Sequence, residues 1–473
     1  MKFTVSMRSK LAVLIYTCVG LSFGAAAQFN NLSPYSRFGI GDLYNGGNVG
    51  TLGLGGVSST YNDTYMLNAE NPATVGNLFN TTFQTSIRTH FLRINEGDRS
   101  SRQNTGNLDQ FQMAFKRPGS PTGYILGISP ISTTGYAIST TQNIDGVGQV
   151  QYIYEGRGGI NKAFIGFGRK FDVTKWQRFT DKDGLVTDSV KVKKHTLSGG
   201  LNVNYYFGNV VQTRLVNIQN TTYLGTRATD NFRLFDFGAD FGLHYETLLK
   251  ARYGRDRKMT ERLLLQVGAV YTPALEMNTT IEQFSESIIF QQGAIFPIDT
   301  AFSLVGDGTS NLPSRLRGGI ALHYHFKGGR HILVAADLEV REWSNFRTQV
   351  NDAELNPGLL NTTTLGFGVQ FTPRSVEEGK NLLDRAQYRL GYRSSATYLA
   401  VDGEQVIDQA LTAGISFPIV SSRSASKIHF GMEFGNRGKN TGNMIEENYV
   451  NAVIGFTLSP FFKNAWFVQR KYD

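Results

Sequence analysis

From Lys427 to Gly435 apolar and polar residues alternate: Ile428, Phe430, Met432 and Phe434 share one face, and Lys427, His429, Gly431, Glu433 and Gly435 share the other. Tyr449–Pro460 repeats the pattern, with Val450, Ala452, Ile454, Phe456 and Leu458 opposite Asn451, Val453, Gly455 and Thr457. A period of two belongs to a strand, whose successive side chains point to opposite faces. The same test along the chain predicts strands near 81–94, 109–117, 122–144, 160–171, 195–207, 232–247, 262–283, 313–326, 331–341, 361–372, 386–398, 406–418, 427–436 and 448–458. That makes fourteen, an even number, which returns the C-terminus to the side of the N-terminus. Strands with one apolar face, repeated without an edge, form a closed barrel. The expected fold class is all-β, a transmembrane antiparallel β-barrel of about 14 strands spanning 81–460.

One hairpin fixes a register. With Gly328-Gly329-Arg330 as its loop, Ile320, Leu322, Tyr324 and Phe326 face Leu338, Ala336, Val334 and Ile332. The opposite face then carries His323, His325, Lys327, His331, Asp337 and Glu339 toward the lumen.

Between strands, long outer loops are expected at 208–231 and 284–312, and short connections at the other end. Two connections at that end break the pattern. Asp172–Lys194 is long and charged, and Pro373–Arg385 contains a helix-like run; each reads as a docking surface for a partner or as a solvated turn.

The ends place the barrel. Lys2, Arg8 and Lys10, an apolar run Leu11–Phe23 and Ala25-Ala26-Ala27 have the layout of a cleavable signal peptide over 1–27. The apolar run, 13 residues, falls short of the ~20 a membrane helix needs. Export plus a barrel means the outer membrane of a Gram-negative-type envelope. Composition agrees: 52 Gly, 33 Phe and 21 Tyr suit membrane strands with aromatic girdles. Cys18, the one cysteine, lies in the signal, so disulfides and thiolate metal sites are unavailable to the rest. The formal charge is +9, three positives of it in the signal, and its basic residues are dispersed. No nucleic-acid partner is expected.

Residues 28–80 are too rich in Gly and Asn to hold a core and must fold against the barrel as a plug. After the last strand, 461–473 is expected to be a periplasmic tail in which Trp466, Phe467 and Arg470 bind a partner.

The Gly-rich run holding Gly53, Gly55 and Gly56, followed by Asn68 and Asn71-Pro72-Ala73, resembles the N-terminal hatch of the FadL (OmpP1/FadL/TodX) family of outer-membrane transporters. Leu312–Gly319, Asp337–Ser344, Tyr388–Tyr392 and Leu411–Pro418 are similar, in order, to later strands of that family. The resemblance implies a porin-like channel: fourteen strands with a hatch held by Asn68, Asn71 and Pro72, and passive uptake of hydrophobic compounds such as long-chain fatty acids. It also implies release into the membrane through a kinked early strand. Here the third strand carries Gly127, Pro130 and Gly135, which break ladder bonds and permit bulges, either as a lateral opening or as a strand bend. Relatives of the family also include non-transporting barrels that serve as accessory subunits of secretion or assembly complexes. Outer-membrane lipid, a hydrophobic ligand and envelope proteins are the partners these readings imply.

Catalysis is not expected, since no spacing singles out a Ser/His or paired-carboxylate constellation. His323, His325 and His331 read as members of a polar lumen network, with no metal and no cofactor.

Overall fold

The computed structural model describes residues 33–44, 47–180, 186–218, 222–254, 256–291, 294–351, 353–376, 378–421 and 424–460. The expected signal (1–27) and the tail with Trp466, Phe467 and Arg470 lie outside the described residues.

Fourteen strands build one closed antiparallel wall: β1 (Thr82–Glu96), β2 (Arg99–Phe115), β3 (Thr122–Ile144), β4 (Gly148–Thr180), β5 (Val186–Ile218), β6 (Gly225–Tyr253), β7 (Met259–Thr272), β8 (Arg315–His325), β9 (His331–Arg341), β10 (Thr362–Thr372), β11 (Gln387–Val401), β12 (Glu404–Ser421), β13 (Ser424–Arg437) and β14 (Glu446–Leu458). Closure comes from β14 against β1, Glu446 opposite Asn95 through Leu458 opposite Phe83. Lipid offers no hydrogen bonds, so a closed ladder is the one sheet arrangement that satisfies every strand there. This is the architecture of an outer-membrane β-barrel. Alternation sets the faces as expected. Phe430, Met432, Phe434, Ile454, Phe456 and Leu458 are exposed outward, whereas Lys427, His429, Glu433, Asn451 and Thr457 are buried inward.

Three local expectations change. The stretch expected as one strand over 262–283 stops at Thr272, because Pro273 has no N–H for the ladder. There the chain turns into a tall hairpin, Leu275–Gln291 with Ala294–Leu312, whose first strand pairs with the outer part of β6 from Asn278 opposite Phe235 to Ile288 opposite Gly225, while β8 takes the place beside β7. The expected loop 284–312 is therefore mostly strand, and 208–231 is largely the extended ends of β5 and β6. The β8–β9 register is slipped by two residues from the one expected, with Ile320 opposite Ala336 and His325 opposite His331. Gly328 and Gly329 both take positive φ (84° and 76°), and Phe326 N–H bonds Arg330 C=O at 2.9 Å, so the turn is Lys327-Gly328-Gly329. A slip of two keeps every side chain on its expected face. In Pro373–Arg385 only Leu382–Arg385 is helical.

Both ends of the wall, Thr82 and Leu458, lie at one rim, the terminal rim. There β4 and β5 outrun their neighbours. Pairing of β3 with β4 stops at Thr122 opposite Arg169, and pairing of β5 with β6 stops at His195 opposite Thr247. Beyond those points β4 and β5 continue as a two-stranded ribbon out to Thr180 opposite Val186, touched by the β6–β7 turn through Phe179 on Tyr253 (5.1 Å) and Asp188 on Arg257 (2.5 Å). The charged connection at 172–194 is this ribbon.

Candidate functional site

The inward face is apolar in one part, around Met277, Trp343, Tyr398 and Leu399, and ionic in another. Glu339 is ringed by Arg315 (3.1 Å), Arg341 (2.7 Å) and Arg317. Arg393 pairs with Asp408 (3.1 Å) and Glu433 (2.6 Å), and Lys162 with Asp240 (3.1 Å). Such pairs are tolerated at low dielectric only because each charge is matched and hydrogen-bonded. The interior hollows are polar in consequence. One of about 490 Å³ at the terminal rim is lined by groups including Asp63, Lys170, Glu246, Arg262 and His325. A larger apolar hollow, about 820 Å³, lies on the outside of the wall among Phe91, Tyr392, Leu411 and Phe434.

Residues 33–81 bond into this ionic surface from several sides. Asp337 accepts the backbone N–H groups of Ser58 and Ser59, each at 2.7 Å. Glu70 pairs with Arg315 at 2.5 Å, Asp63 with Lys427 at 2.6 Å and Asp42 with Arg437 at 2.8 Å. Burial alone would raise the Asp63 carboxyl; Lys427 outweighs it and holds the group below the usual carboxylate range. Apolar contacts alternate with these. Leu54, Val57, Tyr61 and Met66 cluster with Ala321, Leu333 and Ala335, while Leu67, Ala69, Val75 and Leu78 cluster with Ala114, Ile125 and Phe164.

The residues singled out in the sequence organise this segment. Asn68 donates to the carbonyls of Ser58 (2.7 Å) and Tyr61 (2.9 Å). Asn71 donates to Ser59 C=O at 2.6 Å and reaches the wall at Leu243 C=O, 3.1 Å away. Its side chain also caps the 3₁₀ turn Pro72–Asn77, with Pro72 at the first position, where its missing N–H costs nothing. Gly55 has φ +69° and lies so close to the wall that a Cβ would fall 2.4 Å from Tyr392 O and 2.5 Å from Phe367 O. Gly53 packs on Gly414 in the same way, and Gly56 beside Arg393. Pro72 packs across the lumen from these, against Gly200 and Gly242 of β5 and β6.

Gly127, Pro130 and Gly135 all fall on β3, which loses one neighbour part-way. β2 and β3 pair from Phe115 opposite Tyr124 only as far as Phe111 opposite Ile128. A bulge against β4 follows between Pro130 and Ser132. Above it the free edge of β3 is taken by Asp42 opposite Thr133 and Leu43 opposite Ser132, with Tyr44 N–H on Ile131 C=O at 2.8 Å. Ser36 holds Gly135 by two bonds of 3.0 Å. The far side of the seam is bridged by side chains. Tyr44 donates its hydroxyl to Asp109 of β2, and Arg88 of β1 bonds both, Asp109 at 2.7 Å and Tyr44 at 2.8 Å. Burial pushes the Tyr44 phenol well above its usual range, keeping it a donor. Sequence reading passed over Asp42, Tyr44, Arg88 and Asp109, and placed Asp337 on the lumen face without its partners Ser58 and Ser59. The one local signal was a buriable Leu-Tyr pair inside an otherwise Gly/Asn-rich stretch.

A family model described as BamG matches residues 7–175 and 186–473, nearly the whole chain. This chain belongs to the BamG family. Among solved structures, the Ralstonia pickettii toluene transporter TbuX shares the fold of this BamG-family barrel over 92% of this chain and 100% of its own, at 14% identity and TM-score 0.50. The deltaS2 mutant of TodX, a monoaromatic hydrocarbon channel, covers 88% of this chain and 99% of its own, at 16% identity and TM-score 0.52. The TodX deltaS2S3 mutant gives 15% identity and TM-score 0.52, over 88% and 100%. No curated protein matches in sequence. The FadL-like architecture is thus present as a fold, while family membership lies with BamG.

Proposed function

We propose that this BamG-family chain is a sealed outer-membrane barrel acting as an accessory subunit of an envelope secretion or assembly complex, with residues 33–81 as a fixed plug. The observation that carries this reading is the seam. Asp42–Tyr44 extends the ladder of β3 past its last pair with β2 and ties it to β2, where Leu43 and Ile131 are packed against a buried apolar cluster and matched charges such as Arg393 with Asp408 stand on the inward face. Uptake of hydrophobic compounds would want a continuous apolar pocket beside the kinked strand.

The partner contact in this reading is the β4–β5 ribbon. Past Arg169 and His195 it extends beyond the ladders of β3 and β6, and Phe171, Val173 and Trp176 are more than half exposed. A lone two-stranded ribbon is marginal in water, and its open edges are templates for strand addition by another chain. In a periplasmic orientation of the terminal rim, the partner is a soluble or lipid-anchored envelope protein. Affinity purification of the tagged chain in mild detergent tests this. A stoichiometric envelope protein is expected, lost on Trp176→Lys while the heat-shifted gel mobility of the folded barrel is kept. Recovery of a partner-free monomer counts against the reading.

A second reading keeps the barrel as a passive channel for hydrophobic small molecules such as long-chain fatty acids, releasing them sideways. The short β2–β3 ladder favours it, since unlatching Asp42–Tyr44 would leave a gap in the wall. Loss of uptake of a fatty acid or aromatic compound in a deletion strain, restored by the wild-type gene, would support this second reading over the first.

A further inference from the structure

The turn between β8 and β9 gathers three histidines that neither the ion-pair network nor the plug employs. His323 and His325 sit two apart on the inward face of β8, and His331 opens β9 directly opposite His325. The imidazoles of His325 and His331 stack with centroids 4.2 Å apart and planes within 12°. His323 and His331 lie 5.2 Å apart at 18°. One ring nitrogen from each of the three falls within 4.8 Å of the others.

Hydrogen bonds behind the ring orient the most buried of them. Gln266 donates its amide N–H to Glu246 at 2.6 Å, which turns its carbonyl toward His323 Nε2 at 2.8 Å. A carbonyl only accepts, so Nε2 carries the proton and Nδ1 keeps the lone pair. That lone pair faces His331 Nε2 at 3.1 Å. A carboxylate or amide partner that fixes the outer nitrogen so that the inner one can bind a cation is the usual support of a metal-bound imidazole.

We propose that His323, His325 and His331 bind a divalent transition-metal ion of the zinc type at the terminal rim. Imidazole nitrogens bind zinc at about 2.0–2.1 Å, which puts neighbouring donors of a tetrahedral site roughly 3.3 Å apart. The His323–His331 pair is already near that spacing, at 3.1 Å. His325 and His331 are half-buried at the open side of the 490 Å³ hollow, so rotation of their rings closes the rest. Hard cations are disfavoured. Calcium and magnesium need oxygen donors, and the nearest carboxylate on the plug, Asp63, is held by Lys427 and by Tyr65 N–H at 2.8 Å. Three imidazoles suit zinc, nickel or copper. The fourth position opens into the hollow, toward water or a group from outside. A metal here would clamp the β8–β9 turn, and it stands or falls independently of the partner reading above.

The test uses the full mature chain in detergent, stripped with a chelator and titrated with zinc against a chromophoric competitor at about pH 7.5, where imidazoles are neutral. One equivalent is expected, with a tetrahedral visible spectrum when cobalt replaces zinc. His331→Gln should weaken binding by roughly 100-fold or more. His325→Gln, half-buried at the hollow, should do the same. His195→Gln, outside the cluster, should leave one equivalent bound. Absence of stoichiometric zinc in the wild-type chain, or binding unchanged in both cluster variants, overturns the site.

Discussion

Ser59 donates both its backbone N–H (2.7 Å) and its hydroxyl (2.6 Å) to the carboxylate of Asp337, a residue 278 positions later in the chain. Ser58 N–H adds a third bond at 2.7 Å. Hydrogen bonds to a charged, buried acceptor are worth more than neutral ones, and removing the acceptor strands its donors. Asp337→Ala is therefore expected to loosen residues 33–81 by about 3 kcal/mol. Limited proteolysis of the detergent-folded barrel checks it: cleavage should appear within that segment while the wall keeps its heat-shifted mobility. Asp337→Asn, which keeps one acceptor, should fall between.

Gly55→Ala tests how closely the same segment lies on the wall. The residue holds φ +69° against two strand carbonyls. A side chain there costs roughly 2 kcal/mol in backbone strain before any clash. The expected outcome is a protease-sensitive segment, as with Asp337→Ala. Gly97→Ala, in an open turn with nothing within 4 Å of its Cβ, should leave the segment protected.

The seam can be locked. Leu43 and Ser132 face each other as a non-hydrogen-bonded pair, whose Cα atoms lie about 4.5 Å apart, inside the range a disulfide spans. Because residues 28–473 hold no cysteine, Leu43→Cys with Ser132→Cys gives one defined crosslink within them. We expect it to form fully on oxidation and to leave partner recovery unchanged. A channel releasing ligand through the seam would instead lose uptake on oxidation and regain it on reduction.

Acid should release residues 33–81 from the wall late. Burial alone would raise the Glu70 carboxyl, but Arg315, with Lys162 and Arg317, outweighs it and leaves the group at about 2. A folded pKa below the unfolded one contributes stability that is complete above the unfolded value and is lost as pH falls through the folded one. Protection of residues 33–81 from protease should hold down to about pH 4.5 and decline from there toward about pH 2. Glu70→Gln should shallow that decline without abolishing it, since Asp63 is depressed in the same way by Lys427.

Much of the wall was legible from local order. Strand faces follow from alternation within ten residues, so β13 and β14 place Phe430 and Ile454 outward and Glu433 and Asn451 inward as expected. The break at Pro273 carried its own signal in the missing N–H. The two-residue slip of β8 on β9 did not, because either register puts the same side chains on the same face. Asn68 and Asn71 bond to backbone carbonyls within about a dozen residues of themselves, and Pro72 opens the 3₁₀ turn after Asn71, so these contacts are local.

The sequence by itself determined a fourteen-stranded barrel and the direction each strand faces, since periodicity is a property of neighbouring residues. Only the tertiary structure decided what residues 33–81 do to the wall. Asp42 meeting Thr133, Ser59 meeting Asp337, and His323 meeting His331 through Gln266 all depend on closure of the barrel and on the path of a chain within it. Residues far apart in sequence carry no mark of one another until the ladder brings them within hydrogen-bond reach.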